Sequence, residues 1–314
     1  MRKVLIDTDP GIDDAAAIAI LLNEPSLNVE LISCVAGNVG IEHTTNNALR
    51  LLNFLQKNIP VAKGAATPLL RENRFATNAH GASGMGSFDF PEAKTALLTE
   101  ENAVLKQWQI LQATEEPVTI IALGPLTNVA LLLQTFPEIR SKVQEIILMG
   151  GSTARGNIGV YGEFNVMIDP EAAKIVFRSG VPITMVGLDI GRKARLLAEN
   201  LDALETHPVG KMVADLFRSY DGGDISEGVK MYDPSAALYL LNPELFQTQP
   251  AFVDVEISSP LTLGATVVDF DGVFEQADNA TICVDVDVEA FRQKYLERVL
   301  AIREEVANGT RSSK

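Results

Sequence analysis

Residues 3–22 read KVLIDTDPGIDDAAAIAILL: a short apolar run, an acidic turn and a second apolar run. Val4 and Ile6 make the first run strand-like, and the second fits a helix from about Asp13 to Leu22. A strand that passes through a tight turn into a helix is the opening half of a βαβ unit. The turn holds four carboxylates, Asp7, Asp9, Asp13 and Asp14. Four like charges this close repel one another. Either something positive sits among them, or one of them is held ready for chemistry.

The same rhythm continues outward from this unit. VELISCVAGN (29–38) leads into the helical EHTTNNALRLLNFLQK (42–57), and PVTIIALG (117–124) into LTNVALLLQTF (126–136). VQEIILMGG (143–151) precedes DPEAAKIVFRSG (169–180), and VPITMVGLDI (181–190) follows. These runs are apolar throughout rather than alternating, as expected of parallel strands covered on both faces. Three later runs, AFVDVEI (251–257), ATVVDF (265–270) and ATICVDVDV (280–288), lack helices between them and read as antiparallel strands at one side. A helix through 288–306 closes the chain. The expected fold is α/β, an open, mostly parallel, doubly wound Rossmann-like sheet with a few antiparallel strands near the C-terminus. Residues 1–307 read as a single domain and 308–314 as a disordered tail.

The totals fit a soluble globular protein. A chain of 314 residues, 46% of them apolar, can bury a large core. Its net charge of −15 repels phosphate backbones, so nucleic acid is not an expected partner. Cys34 and Cys283 sit in apolar strand-like runs and read as buried free thiols. No apolar run is long enough to cross a bilayer and no signal peptide is evident, so neither a membrane nor secretion is expected and a cytoplasmic location follows.

In open α/β sheets, ligands bind beyond the carboxyl ends of the strands. Asp7, Asp9, Asn38, Gly124, Gly150, Gly151 and Asp189 fall at those ends. Helix capping by Asp9, with Pro10 in the first turn, accounts for one or two acids of the turn but not four. A hard cation such as Ca2+, which takes six to eight oxygen ligands, accounts for more. Asp9 and Asp14 could reach one ion, Asp13 could then take a proton from a water bound to it, and Asp233 in MYDPSAALYL could complete the shell. A DxD phosphatase site is disfavoured because Gly11 stands where a Thr or Val would follow, and no P-loop is present.

DTDPGIDD resembles the N-terminal signature of the nucleoside hydrolases, which split the N-glycosidic bond of ribonucleosides. VAGNVG, HGASGMG, ALGPLTNVAL, IILMGG, GEFNVMIDPEAA and MVGLDI recur in order at matching spacing, over nearly the whole chain. The nearest likeness is to the bacterial enzymes that take both purine and pyrimidine ribonucleosides. The resemblance implies a tightly bound calcium held by Asp9, Asp14, Asp233 and the backbone carbonyl of Leu123. It implies Asp13 as the base acting on water, with Asp7 and Asn38 supporting the ion, the water or the ribose. Asn157, Glu163 and Asn165 match residues that hold the ribose hydroxyls, Met149 lines the sugar pocket, and His80 faces the base. It further implies a small-molecule ribonucleoside substrate and a homodimer or homotetramer.

Without the resemblance, plainer readings stand. Glu163 and Asn165 read as solvated loop residues, Asp169 as an N-cap before Pro170, His80 as an exposed loop residue, and His43 and His207 as surface residues. The glycines of HGASGMG would let that loop act as a lid. Two positions depart from the family pattern. Tyr232 stands where many members carry the His thought to protonate the leaving base, and Ala82 where relatives usually carry Glu. A phenol transfers a proton less readily near pH 7 than an imidazole. Tyr232 could act as the acid itself, His80 or a water chain could replace it, or the chain could be a weakened binding protein on the same fold.

Overall fold

The structure, a computed structural model, describes residues 1–302. Eleven strands run in chain order: β1 (Arg2–Thr8), β2 (Leu27–Cys34), β3 (Val61–Lys63), β4 (Val118–Ala122), β5 (Val143–Met149), β6 (Ile183–Val186), β7 (Arg195–Leu196), β8 (Val229–Lys230), β9 (Phe246–Val255), β10 (Thr266–Asp269) and β11 (Ala280–Val286). Nine of them form one sheet in the order β10-β9-β11-β6-β5-β4-β1-β2-β3, while β7 and β8 pair apart from it.

The continuous apolar runs bury both faces of the sheet. In β1, Val4 and Ile6 point into one layer and Leu5 into the other, and β4 divides Ile121 from Ile120 in the same way. Helices cover both sides. Ile12, Leu51, Met212, Leu238 and Phe291 pack in the first layer, and Leu111, Val129 and Ala173 in the second. At roughly 25 cal/mol per Å2 of apolar surface removed from water, burial on two faces is the main force holding the fold.

From β3 through β6 to β11 neighbouring strands are parallel, and β9 and β10 are antiparallel additions at the edge. The expectation for the C-terminal strands needs one correction. β11 is antiparallel to β9 but parallel to β6, because the chain returns to the sheet at β9, running opposite to β6, and β11 reverses that direction and inserts between the two. Sequence reading also passed over β3, β7 and β8 and the helices Ala103–Ala113, Ala198–Leu204 and Pro208–Arg218. The tail expected to be disordered, 308–314, lies outside the described residues.

β1 lies between β2 and β4, so the chain leaves it to build one side of the sheet and later returns to its other side. The loops after β1 and β4 therefore part, opening a crevice at their carboxyl ends. The acidic turn starts there, and the Leu123 N–H donates to the Asp7 carbonyl at 2.7 Å, tying the two strand ends together. Cys34 and Cys283 are buried free thiols, as expected. His207 is not a surface residue. It is buried, caps the helix Pro208–Arg218 by accepting the Val209 N–H, and contacts the Ile302 carbonyl through Nε2. No helix among the described residues is long and apolar enough to cross a membrane.

Candidate active site

The helix after the turn spans Ile12–Leu22, and its N-cap is Gly11 rather than Asp9. Glycine offers no capping side chain, so two other residues supply one. Asp14 reaches back to accept the Gly11 N–H at 2.9 Å, and His80 Nδ1 accepts the Ile12 N–H at 3.1 Å. Capping thus accounts for one acid of the four. The Asp14 carboxylate also accepts from the Thr8 hydroxyl and, at 3.1 Å, from Asn38 Nδ2.

Asp9 accepts the Asn38 N–H at 2.6 Å through Oδ2, while its buried Oδ1 has no partner. Two glycines make room for this carboxylate. A Cβ on Gly37 would lie 2.1 Å from Asp9 Oδ2, and one on Gly124 would lie 2.5 Å from Oδ1. Asp7 is turned away from the crevice into a buried polar knot. Its Oδ2 accepts from Ser33 Oγ, from Gln107 Nε2 at 2.9 Å and from Asn128 Nδ2 at 3.0 Å. Asp7 does not line the cleft described below.

Asp13, Asp14 and Asp233 each bring a carboxylate oxygen within 4.8 Å of the others. All are buried, and burial first, with repulsion from their neighbours, pushes Asp13 up to about 7 and raises Asp9 and Asp233 well above the usual carboxylate range. Asp14 is raised by burial despite its hydrogen bonds. Convergent buried oxygens, one carboxylate oxygen without a partner and mutual repulsion are the donor set of a hard divalent cation.

Above this floor lies a cleft of about 520 Å3. Asp13, Asn38, His80, Leu123, Met149, Asn157, Glu163, Asn165, Tyr232 and Asp233 all line it, residues drawn from eight separate stretches of the sequence. Glu163 and Asn165 are not solvated loop residues. Glu163 is buried at the start of the short helix Phe164–Ile168, where its carboxylate accepts the N–H groups of Gly151, Asn165 and Val166 at 3.0–3.1 Å. Burial nonetheless pushes it up to about 7. Asn165 Nδ2 donates to the Leu123 carbonyl at 2.7 Å and to the Met149 carbonyl at 3.1 Å, so it ties the ends of β4 and β5 together at the cleft. Asp169 is the N-cap expected of it, accepting the Ala172 N–H at 3.1 Å ahead of Pro170.

Aromatic side chains also line the cleft. His80 is buried, not exposed, and its ring packs edge-on against Tyr220 at 5.1 Å. Burial holds the imidazole down to about 3. With Nδ1 accepting from Ile12, the neutral ring carries its proton on Nε2. Tyr232 begins the helix Tyr232–Leu241, and Gly191 makes space for it, since a Cβ there would lie 2.2 Å from the ring. Tyr220, with Phe75 and Phe217, was not found from sequence. Its hydroxyl hydrogen-bonds Asp13, and no local pattern in residues 219–224 announces that partner.

Comparison with known proteins agrees with this geometry. The non-specific ribonucleoside hydrolase RihC of Salmonella newport is 47% identical over 295 residues, 94% of this chain and 96% of that protein. A solved purine-preferring ribonucleoside hydrolase from Gardnerella vaginalis superposes with a TM-score of 0.89 at 29% identity, covering 96% of this chain and 99% of that one. The plant nucleoside hydrolase PpNRh1 gives 0.88 at 31%, again over 96% and 99%. Fold, site and relatives define the class: an N-ribosyl hydrolase, EC 3.2.2. The chain belongs to the inosine-uridine preferring nucleoside hydrolase family, whose model matches residues 4–293.

Proposed function

We propose that this chain hydrolyses the N-glycosidic bond of both purine and pyrimidine ribonucleosides to free base and ribose, with calcium as its cation. The observation that carries this reading is the buried carboxylate cluster of Asp13, Asp14 and Asp233, two of which line a cleft that polar and aromatic side chains share. Asp9, Asp14, Asp233 and the Leu123 carbonyl would hold the ion. When bound, calcium would offset the repulsion of the carboxylates, anchor sugar hydroxyls and lower the pKa of a coordinated water.

The chain's own groups supply the remaining steps. Asp13 accepts the proton of the attacking water, and Tyr220 orients its carboxylate. Asn38, Asn157, Glu163 and Asn165 hold the ribose hydroxyls beside Met149. Their oxygens face the sugar as its ring gains oxocarbenium-like positive charge, which they stabilise. Water attacks the face opposite the base, so the anomeric centre inverts. The departing base lies against the aromatic side chains. A ring held down to about 3 carries almost no second proton at neutral pH. His80 therefore acts through its Nε2–H as a hydrogen-bond donor to the base and not as an acid. Tyr232 is then the proposed side-chain proton source, ahead of Tyr220, whose hydroxyl serves Asp13.

One observation favours a second assignment within the same chemistry. Asp13 contributes to the three-carboxylate cluster, whereas Asp9, like Asp7, holds a buried oxygen without a partner. Asp9 would then be the base and Asp13 a ligand. Assembly as a homodimer or homotetramer, a cytoplasmic location and a single domain over 1–307 belong to the same proposal, the last supported by one sheet running from β1 to β11.

The test is release of reducing sugar from uridine, cytidine, inosine and adenosine, with and without a calcium chelator. Chelator-sensitive release from both base classes is expected. No release from any of the four, by protein shown to hold calcium, would overturn the reading.

A further inference from the structure

The segment between β5 and the helix Phe164–Ile168 carries Asn157 into the cleft, yet it has little packing of its own. Thr153, Ala154, Arg155 and Asn157 are all exposed. Ser152 anchors its start, donating its N–H to Thr266 Oγ1 and its hydroxyl to the Arg155 carbonyl, both at 2.9 Å, and one face of the helix Leu188–Lys193, which follows β6, holds the rest. Asp189 and Arg192 stand three residues apart on that helix, hence on one face. Asp189 accepts the Thr153 N–H at 2.6 Å and the Thr153 hydroxyl at 3.0 Å. Arg192 donates through Nη1 to the Arg155 carbonyl at 2.6 Å and through Nη2 to the Gly156 carbonyl at 2.7 Å. Its planar fork spans two successive carbonyls, which the single ammonium of a lysine cannot do.

From that anchor the chain doubles back tightly. Asn157 and Ile158 donate their N–H groups to the Gly162 carbonyl at 3.0 and 3.1 Å. Gly156 must be glycine, since a Cβ there would lie 1.9 Å from the Gly162 oxygen. Asn157 Oδ1 accepts the Phe164 N–H at 2.9 Å, which fixes the amide plane. Arg192 itself lines the cleft, and two of its five N–H donors are held by these carbonyls.

We infer that Arg192, with Asp189, is a positioning residue: it clamps residues 153–156 so that Asn157 presents its amide to the ribose. The inference rests on the reading of Asn157 as a ribose-binding residue. Asp189 sets the start of the loop and Arg192 its exit, so binding of sugar requires no ordering of this segment.

Two measurements test it. The first needs no substrate: hydrogen exchange of the 153–158 amides in the full chain and in Arg192→Met, with Arg192→Lys as the milder variant. Exchange at least about tenfold faster in this loop, with the amides of β4 and β5 unchanged, is expected. Unchanged loop exchange would overturn the clamp whatever the enzyme cleaves. The second is a kinetic cycle on uridine with Asn157→Ala, Arg192→Met and the double variant. Each single change is expected to lower kcat/KM by at least about tenfold, and the double to be little worse than Asn157→Ala alone, because Arg192 acts through Asn157. Losses that multiply would overturn the positioning role and make Arg192 an independent contact. If the wild-type chain cleaves no nucleoside, the proposed function fails while the exchange result still judges the clamp.

Discussion

Asp13 and Asp9 occupy one turn but different surroundings, and a single substitution at each tells their roles apart. Asp13→Asn keeps the shape and removes the basicity. With Asp13 as base, kcat is expected to fall by at least about 100-fold, a common size for loss of a general base, while bound calcium stays near one per chain. Loss of calcium from Asp13→Asn, with turnover abolished in calcium-loaded Asp9→Asn, would transfer the base role to Asp9. Tyr232 is the other decisive residue. A phenol gives up a proton poorly near pH 7, and purines gain most from protonation at the ring. Tyr232→His is therefore expected to raise purine turnover more than pyrimidine turnover. An unchanged ratio of inosine to uridine kcat/KM would remove position 232 from leaving-group chemistry. At this scale the sequence was most readable where residues adjoin. The acids of DTDPGIDD were legible as a cluster because they are neighbours in the chain. Tyr220 stayed hidden because its bond to Asp13 is made across the fold, and the resemblance, not the residue pattern, pointed to Glu163 and Asn165.

The first helix is the element on which the site turns. Its cap residue, Gly11, has no side chain, so His80 arrives from a distant loop to take the Ile12 N–H. A Cβ at position 11 would lie 2.5 Å from His80 Nδ1, so the glycine and the histidine fit each other. This cap has a pH signature. His80 titrates near its ordinary 6.5 when unfolded but only at about 3 when folded. Its folded pKa is depressed, so its contribution is complete above 6.5 and is lost as pH falls toward 3, at no more than about 1.4 kcal/mol per pH unit. His80→Asn is expected to cost stability at pH 7 through the lost cap, yet to narrow the gap to wild type at pH 4. Urea midpoints at the two pH values measure this, and a gap that is equal or wider at pH 4 would contradict it. Elements with long apolar runs were legible from sequence, and the helix predicted from about Asp13 begins one residue earlier. Two-residue strands such as β7 and the parallel pairing of β11 with β6 were not, because strand partners are chosen by the whole sheet rather than by local pattern.

Over the whole molecule, a chain of net charge −15 has gathered four of its acids at the switch point of its sheet. Without a cation, that arrangement opposes folding as pH rises. Asp13 is pushed up to about 7 when folded, from 3.8, so protonation favours the folded state and that contribution is lost as pH climbs through this window. Asp7 at about 6 and Glu163 at about 7 act in the same direction. Calcium held there as proposed would reverse the balance in the turn, because its ligands must be deprotonated to bind it and binding favours only the folded chain. At 100 times its Kd, an ion stabilises by about 2.7 kcal/mol, which for a chain of this size raises Tm by roughly 4 °C. The expected pattern is a Tm difference between calcium-loaded and chelated protein that is small at pH 5 and grows toward pH 8. Asp233→Asn should shrink the difference at every pH by weakening the cluster. A difference of the same size at pH 5 and pH 8 would place the ion away from these carboxylates, whereas growth across the range ties its binding to their ionisation.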